Sequence, residues 1–337
     1  MKFGWRGALG IVVSAIFLYF AFRHLDLSRA LEKARHANYW LIAASAIMAT
    51  CMFPLRARRW RTILDPIAPK LPFGPLWRST AIGVMVTNTV PLRAGELARA
   101  YALNREVPSV SFATALASIA VDRVFDGIVC MLLLAVGVVM AHFPSTTTIN
   151  GHSLGGAATV VVAGSLGLLL ALYVLVFFPG ILIRVFELVA RRVSPVVERR
   201  GSEMLHRFAE GLSVLRTPKH FIAVFGWTLL HWLVQPLAFW LALMAMGIHV
   251  PLASTLVLQG IIVILVALPS APGFFGPFEI GATIALALYS VTNSDAATWA
   301  LLFHVASFIP ITLIGAYYFV RLGVHMGEIN TAADAKQ

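Results

Sequence analysis

MVTNTVPLRAGELARAYALNREVPSVSFATALASIAVDRVFD, residues 85–126, is the stretch on which the interpretation of this chain depends. The surrounding sequence is very apolar, yet this stretch carries charge on both sides of a helix break at Pro91 and Gly95. A charged side chain at bilayer depth is costly, so it is a functional hypothesis by default. A second interrupted stretch, LPSAPGFFGPFEIG, follows at 268–281. We expect the two stretches to form the walls of one site.

Composition fixes the class of fold. The chain has 337 residues, of which 59% are hydrophobic and 12% charged, whereas a soluble domain has about 25% charged residues. Several runs exceed the roughly 18 apolar residues that indicate a membrane helix. The sequence therefore predicts an all-α, multi-pass integral membrane protein with about six full spans and two re-entrant, broken-helix hairpins in an inverted-repeat arrangement.

The net charge of +11 is concentrated in two segments, 56–78 and 184–219. Basic residues beside membrane spans are typical of cytoplasmic loops and meet anionic lipid head groups. We therefore predict a bacterial inner-membrane protein with cytoplasmic N- and C-termini, and we expect no nucleic-acid partner. Cys51 and Cys130 lie in apolar spans without disulfide or metal-ligand spacing. We expect no metal and no cofactor.

Two segments are too short to cross a bilayer. Fifteen residues at 76–90 cover only about 22 Å of a hydrocarbon core roughly 30 Å thick. The predicted organisation is a first span and interfacial helix (1–38), a first repeat (39–141) with a re-entrant hairpin at 76–105, an outer loop, connecting span and basic amphipathic segment (142–219), a second repeat (220–321) with a hairpin at 252–290, and a cytoplasmic tail (322–337). The hairpin breaks are Pro91, Gly95, Pro272, Gly273 and Gly276.

Both predicted repeats have the same order, which is a full span, a broken hairpin and a full span. This order is typical of inverted-topology transporters, whose site lies near the midplane between the repeats. The candidate lipid-binding residues are Arg93, Glu96, Arg99, Asp122, Arg123, Asp126 and Glu279.

The aspartates at 122 and 126 share one helix face. Two carboxylates this close in a low dielectric repel each other or share a proton unless a cation joins them. Arg93 or Arg99 is the expected cation. One interpretation is a structural ion-pair network that fixes hairpin to helix. The other makes Arg93 and Arg123 ligands for an anionic head group, since guanidinium suits bidentate phosphate contact.

Glu96 and Glu279 each follow a break at a helix start. An acid in the first turn offsets the helix dipole, with Gly95 as a cap and Pro277 at the first helical position. Glu279 is also the only formal charge between His220 and Asp295, which favours a function. The single polar residues of the later spans (His231, Gln235 and His304) are interpreted as interhelical hydrogen-bonding groups.

The chain has no convincing catalytic motif. Residues 151–155, GHSLG, match G-x-S-x-G, but that motif requires a strand–turn–helix in an α/β sheet. There is no P-loop, dinucleotide fingerprint or H-E-x-x-H. We therefore expect a protein that is not an enzyme, although an intramembrane enzyme acting through Asp122 or Glu279 stays an alternative.

Three motifs carry a family resemblance: PLRAGELARA at 91–100, DRVFD at 122–126 and PGFFGPFE at 272–279. Over about 5–322 the chain resembles the flippase-like transmembrane domain of lysylphosphatidylglycerol synthases, which stand-alone bacterial and archaeal membrane proteins share. In that family the last motif is closer to P-G-G-x-G-x-x-E, so Phe274 and Phe275 are departures. The resemblance implies lipid translocation, of a phospholipid or, in one branch, a hopanoid. It implies no aminoacyl transfer, and we expect no aminoacyl-transferase domain after Val320.

The first functional hypothesis is a flippase that moves a polar or anionic lipid between leaflets through a midplane cavity between the two hairpins. Proton coupling through Glu279 is part of it. The alternative is a non-transporting membrane scaffold for a lipid-modifying or glycosyl-transferring enzyme. The expected partners are membrane lipids and, for the alternative, that enzyme; a homodimer is left open.

Overall fold

The structure is a computed structural model. It describes residues 12, 16–20, 22, 27–90, 94–141, 148–149, 152–153, 159, 163–164, 166–167, 170–171, 174, 178–191, 194, 198–199, 201–202, 217–268, 271–325 and 327–328. These residues form helices and one antiparallel pair of two-residue strands, β1 (Thr148–Ile149) and β2 (His152–Ser153).

The helices are α1 (Leu27–His36), α2 (Tyr39–Leu64), α3 (Phe73–Thr89), α4 (Gly95–Glu106), α5 (Phe112–Met140), α6 (Pro179–Ala190), α7 (Pro218–Ala245), α8 (Leu252–Val266), α9 (Pro277–Ala287) and α10 (Asn293–Arg321). A 3₁₀ turn, Pro272–Phe274, lies between α8 and α9. Of the described helices, α2, α5, α7 and α10 are long and apolar enough to cross a membrane. The protein is an α-helical membrane protein, and two further predicted spans, 7–22 and 155–178, lie mostly outside the described residues.

Three of the long helices begin at a side-chain cap. Asn38 accepts hydrogen bonds from the backbone N–H groups of residues 40 and 41 at the start of α2. Ser111 does the same for residue 114 of α5, and Thr292 for residue 295 of α10. These small polar residues satisfy N–H groups that the first helical turn leaves unpaired. The caps therefore set where each helix starts.

The first broken segment folds as two packed helices, α3 and α4. Their close approach depends on glycine: a Cβ on Gly95 would collide with the carbonyl oxygen of Gly83 and with Oγ1 of Thr87. Gly95 is the first residue of α4, and Ala94 precedes it as the N-cap. The missing side chain of Gly95 thus permits α3 and α4 to pack closely, and Gly95 is not the cap of α4. Pro91 and Arg93 lie outside the described residues.

The second broken segment, α8 and α9, also folds as two packed helices. Its break has positive φ angles at Gly273 (71°), Phe274 (61°) and Gly276 (98°). This backbone region favours glycine. Phe274 therefore adopts there a conformation that a glycine would take without steric cost.

The helices of the first half of the chain pack on one another in the same pattern as those of the second half. In this pattern α2 corresponds to α7, α3 to α8, α4 to α9 and α5 to α10. The packing of α3 on α4 matches that of α8 on α9, α4 on α5 matches α9 on α10, and α3 on α10 matches α8 on α5. Helices α2 and α7 pack on each other. The halves share one internal arrangement, and its inversion across a bilayer stays a prediction.

One expectation is wrong. The basic residues from position 56 onward are predicted to lie in a loop, whereas α2 continues to Leu64. Arg56 and Arg59 therefore lie on the last turns of a helix, and Arg59 is fully buried. The physical reason is that carboxylates on a neighbouring helix compensate the charge of the buried guanidinium. Local composition around Arg59 does not reveal these distant partners.

We predict that Gly95→Ala destabilises the protein, because the added methyl group overlaps the backbone of α3. Overpacking of this kind costs about 1–3 kcal/mol, and the midpoint temperature Tm of the detergent-purified protein should fall by several degrees. The matched control is Gly127→Ala on α5, where a Cβ meets no atom within 4 Å. Equal Tm values for the two variants would contradict the close-approach assignment.

Candidate functional site

A cluster of seven ionised side chains joins three helices. Its members are Arg56 and Arg59 from α2, Glu96 and Arg99 from α4, and Asp122, Arg123 and Asp126 from α5. The pairs Arg56 and Arg59, Glu96 and Arg99, and Asp122 and Asp126 are three or four residues apart, so each pair shares a helix face. We call this set the ionic cluster.

The centre of the ionic cluster is Arg59. Its Nη2 lies 2.5 Å from Oδ1 of Asp122, and its Nη1 donates to Oδ1 of Asp126 at 2.6 Å. The side chains of Arg59 and Asp122 have no exposed surface. Charges removed from water this completely are tolerated only with close partners of opposite sign. Arg59 therefore fixes α2 against α5.

Two aromatic residues enclose this centre. The Arg99 guanidinium carbon lies 4.0 Å from the ring centroid of Trp60, and its Nη1 donates to Oδ2 of Asp122 at 3.0 Å. The indole Nε1 of Trp232 on α7 donates to Oδ1 of Asp126 at 2.6 Å. The Trp60 ring adds a cation–π contact, and the Trp232 N–H adds a hydrogen bond to a buried carboxylate. The cluster thereby connects the first half of the chain to α7 of the second half.

One edge of the ionic cluster is open. Arg123 donates a short hydrogen bond to Glu96 and another, of 3.2 Å, to Asp126. Nη2 of Arg56 lies 3.5 Å from Oε1 of Glu96. The Arg123 side chain is 41% exposed and that of Glu96 is 28% exposed, in contrast to the buried centre. We call Arg56, Glu96 and Arg123 the rim.

The ionic cluster has more positive than negative groups. Four guanidinium groups face three carboxylates, which leaves one positive charge in excess among the described residues. Buried donors without a hydrogen-bond partner remain on Arg56 (Nε), Arg59 (Nε, Nη2) and Arg99 (Nε, Nη2), as do two acceptors, Oε2 of Glu96 and Oδ1 of Asp122. Unpaired donors next to excess positive charge are suited to hold an anion.

A second polar cluster surrounds Glu279. Its Oε2 accepts a hydrogen bond from the backbone N–H of Gly276 at 2.7 Å, and its Oε1 lies 2.6 Å from Nδ1 of His304. Nε2 of His304 lies 2.8 Å from the carbonyl oxygen of Gly273. The ring of Phe275 stacks on the His304 ring with centroids 4.2 Å apart. Glu279 thus caps α9 and also anchors the break to α10.

The structure brings together five of the seven candidate residues, namely Glu96, Arg99, Asp122, Arg123 and Asp126. Glu279 instead contacts His304 and Gly276, and Arg93 lies outside the described residues. The described part of the chain contains no group of three metal-ligating side chains.

Three contributors were not predicted at this site: Arg56, Arg59 and Trp232. The two arginines were predicted to lie in a loop, and Trp232 was not singled out. His304 was interpreted as an interhelical hydrogen-bonding group, which its contact with Glu279 confirms. A signal was present for Arg56 and Arg59, since they are three residues apart and directly follow the apolar run 39–55, so that they would share a face if the helix continued.

These observations define an α-helical membrane protein with a charged cluster among its helices. The family model described as the lysylphosphatidylglycerol synthase TM region matches residues 7–315. The chain belongs to this family, as the three sequence motifs predict.

Three curated relatives from two organisms illustrate the range of the family. Glycosyltransferase AglD of Haloferax volcanii is 26% identical over 91% of this chain and 52% of its own length, so this chain spans about half of that relative. A UPF0104 membrane protein of Methanothermobacter thermautotrophicus is 24% identical over 95% of this chain and 92% of its own length. A second UPF0104 membrane protein of the same organism is 23% identical over 86% of each chain. No solved structure matches.

We predict that Asp122→Asn strongly destabilises the protein, because it removes the carboxylate that faces three guanidinium groups. Breaking a buried ion pair by removing one partner costs about 3–5 kcal/mol, so the detergent-purified variant should unfold at a clearly lower Tm. Glu328→Gln is the matched control, since Glu328 forms an exposed ion pair with Arg105; its Tm should stay close to wild type. A wild-type Tm for Asp122→Asn would show that the centre is not structural.

Proposed function

We propose that the protein is a flippase that moves an anionic lipid between leaflets of the bacterial inner membrane, and that it is not an enzyme. The observation that carries the proposal is the uncompensated positive charge of the ionic cluster, which lies beside an open rim. A lipid phosphodiester carries one negative charge, so it would neutralise the excess. A net-neutral cluster costs less to bury than a charged one.

The proposed binding mode uses the rim first. The exposed guanidinium of Arg123 meets the phosphate, and the free N–H groups of Arg99 and Arg56 then donate to its oxygens. Guanidinium groups bind phosphate oxygens through paired hydrogen bonds. The acyl tails stay in the surrounding lipid, because only the polar part needs the cluster. In this mechanism the hairpins are re-entrant, and both termini are cytoplasmic.

Repeated packing of the two halves supports a transport cycle. In transporters built from inverted repeats, the two halves exchange conformations around a central site. The matching contacts of α3 with α10 and of α8 with α5 give this chain two equivalent surfaces on which a hairpin packs against a long helix. We propose that these surfaces open alternately, and that a lipid is the partner at each. The family model, which matches residues 7–315, is compatible with this role.

The alternative is a non-transporting membrane scaffold for a glycosyl-transferring or other lipid-modifying enzyme. A specific observation favours it: AglD, a relative named as a glycosyltransferase, matches this chain over only about half of its own length. The part of AglD that resembles this chain would then be a membrane platform. Stable co-purification of such an enzyme, together with no lipid movement in proteoliposomes, would favour the scaffold.

We predict that Arg123→Gln lowers leaflet exchange of fluorescent phosphatidylglycerol in proteoliposomes by about tenfold or more, the factor expected on loss of a hydrogen bond to a charged group. Exchange is measured by quenching of the outer-leaflet label. Arg105→Gln is the matched control, because the Arg105 side chain is exposed to a similar extent, 39%, but bonds to Glu328 outside the cluster. Arg93→Ala, between the two breaks, should have the same effect as Arg123→Gln.

Equal exchange rates for Arg123→Gln, Arg93→Ala and wild type would exclude the proposed head-group site. Normal Tm and insertion of the variants are required for this conclusion. An equal loss of lipid exchange in Arg105→Gln would instead indicate a general effect of surface charge.

We also predict that the exchange rate depends on pH and that Glu279→Gln flattens this dependence. The reason is that Glu279 is the only formal charge between His220 and Asp295 and bonds to a histidine. The measurement is the same assay at a series of pH values, with Asp65→Asn as a carboxylate control outside both clusters. An unchanged pH profile in Glu279→Gln would remove proton coupling from the proposal.

A further inference from the structure

The hydrogen bonds around His304 determine where its protons lie. The Gly273 carbonyl oxygen can only accept, so Nε2 of His304 must carry a hydrogen and donate it at 2.8 Å. The Glu279 carboxyl oxygen Oε2 already accepts from the N–H of Gly276. Between Oε1 of Glu279 and Nδ1 of His304, 2.6 Å apart, one further proton is needed. It sits on the imidazole or on the carboxyl group, and in both cases the pair is net neutral.

Loss of that proton breaks the arrangement. A carboxylate oxygen would then face the lone pair of Nδ1 at hydrogen-bond distance, and the two would repel each other. The Glu279 side chain has no exposed surface and that of His304 is 8% exposed, so water cannot replace the missing bond without movement. An uncompensated buried charge is strongly unfavourable.

The Glu279–His304 pair has a counterpart in the first half. Glu96 is in the first turn of α4 and bonds to Arg123, the twelfth residue of α5 (Phe112–Met140). Glu279 is in the first turn of α9 and bonds to His304, the twelfth residue of α10 (Asn293–Arg321). Helices α4 and α5 correspond to α9 and α10 in the packing of the halves. Each hairpin is thus tied to the following long helix by an acid–base pair at the same place.

The two counterparts differ in one respect that decides their behaviour. The base in the first half is a guanidinium, which stays charged at every physiological pH. The base in the second half is an imidazole, which gains or loses a proton near neutral pH unless its surroundings prevent it. The first pair is therefore a permanent connection and the second a connection that depends on a proton.

Helix α8 carries no ionisable group. On the neighbouring helices, Asp295 contacts Lys33, His231 contacts the carbonyl of Met52, Arg78 contacts Glu106 and Arg321 contacts Tyr317. Of the arginines at the end of α2, Arg56 and Arg59 belong to the ionic cluster and Arg58 bonds to Thr62. Arg61, like Lys219 and His220 at the start of α7, lies at a helix end. The pH response of the break is therefore assigned to the Glu279–His304 pair itself.

We propose that Glu279 and His304 together bind one exchangeable proton, and that this proton holds the break at 272–279 against α10. Release of the proton to water frees the break and lets the second hairpin separate from α10. The role of this movement in lipid transport rests on the proposed function, whereas the proton site does not.

The test is hydrogen–deuterium exchange of the peptide backbone at 271–280 in the full-length, detergent-purified protein over a series of pH values. Each wild-type rate is divided by the rate of Glu279→Gln at the same pH, which cancels the intrinsic pH dependence of exchange. A glutamine at 279 can accept from Gly276 and donate to Nδ1, so it imitates the proton-bound pair without a proton to lose. We expect the ratio to rise about tenfold or more from acid to alkaline pH, the factor expected on loss of one charge-assisted hydrogen bond.

Two further variants complete the experiment. His249→Gln, an exposed histidine just before α8, should keep the wild-type profile. His304→Gln should remove the pH dependence at 271–280 and also serves if Glu279→Gln does not fold. A ratio that stays constant with pH, or a wild-type profile in His304→Gln, would overturn the proposal. Because no lipid is moved in this assay, its failure is separate from failure of the proposed function.

Discussion

The ion pairs of Arg59 with Asp122 and Asp126 are the interaction on which the rest of the structure depends. A guanidinium with no exposed surface can exist within an apolar bundle only because two carboxylates meet it at 2.5 and 2.6 Å. These contacts fix α2 to α5, and Arg99 then ties the first hairpin to the same Asp122. The rim, which we assign to lipid, takes its geometry from this buried centre.

The two halves use one packing scheme with different chemistry. In both, the second helix of a hairpin carries an acid that meets a base on the following long helix. The first half places its pair at an exposed edge of a charged cluster, whereas the second encloses its pair among aromatic rings such as Phe275. The repeated packing places the two acid–base pairs at equivalent positions. Whether the base is arginine or histidine decides if the link between hairpin and long helix is permanent or depends on a proton.

Local sequence signals predict the helices and breaks well. Apolar runs and the proline–glycine break at 272–276 are readable because each depends on neighbours in sequence. The contact of Arg99 with Asp122 follows from the need of a buried carboxylate for a cation. Arg59 could not be assigned in this way, because its partners are 63 and 67 residues away and its sequence neighbours are typical of a basic surface segment. For the same reason His304 was not connected to Glu279.

The structural and the lipid-binding interpretations of the ionic cluster apply to different atoms. At the centre, every carboxylate of Asp122 and Asp126 faces a guanidinium, burial is nearly complete, and no room is needed for a ligand to explain the arrangement. At the rim, Arg123 is partly exposed and Nε of Arg56 has no hydrogen-bond partner, and the buried Arg99 beside the rim has two further unpaired N–H groups. A purely structural network gains nothing from an excess charge, since desolvating an unmatched guanidinium is unfavourable. The excess is therefore the part of the cluster that a function must explain, and in the function we propose an anionic head group would supply the missing charge.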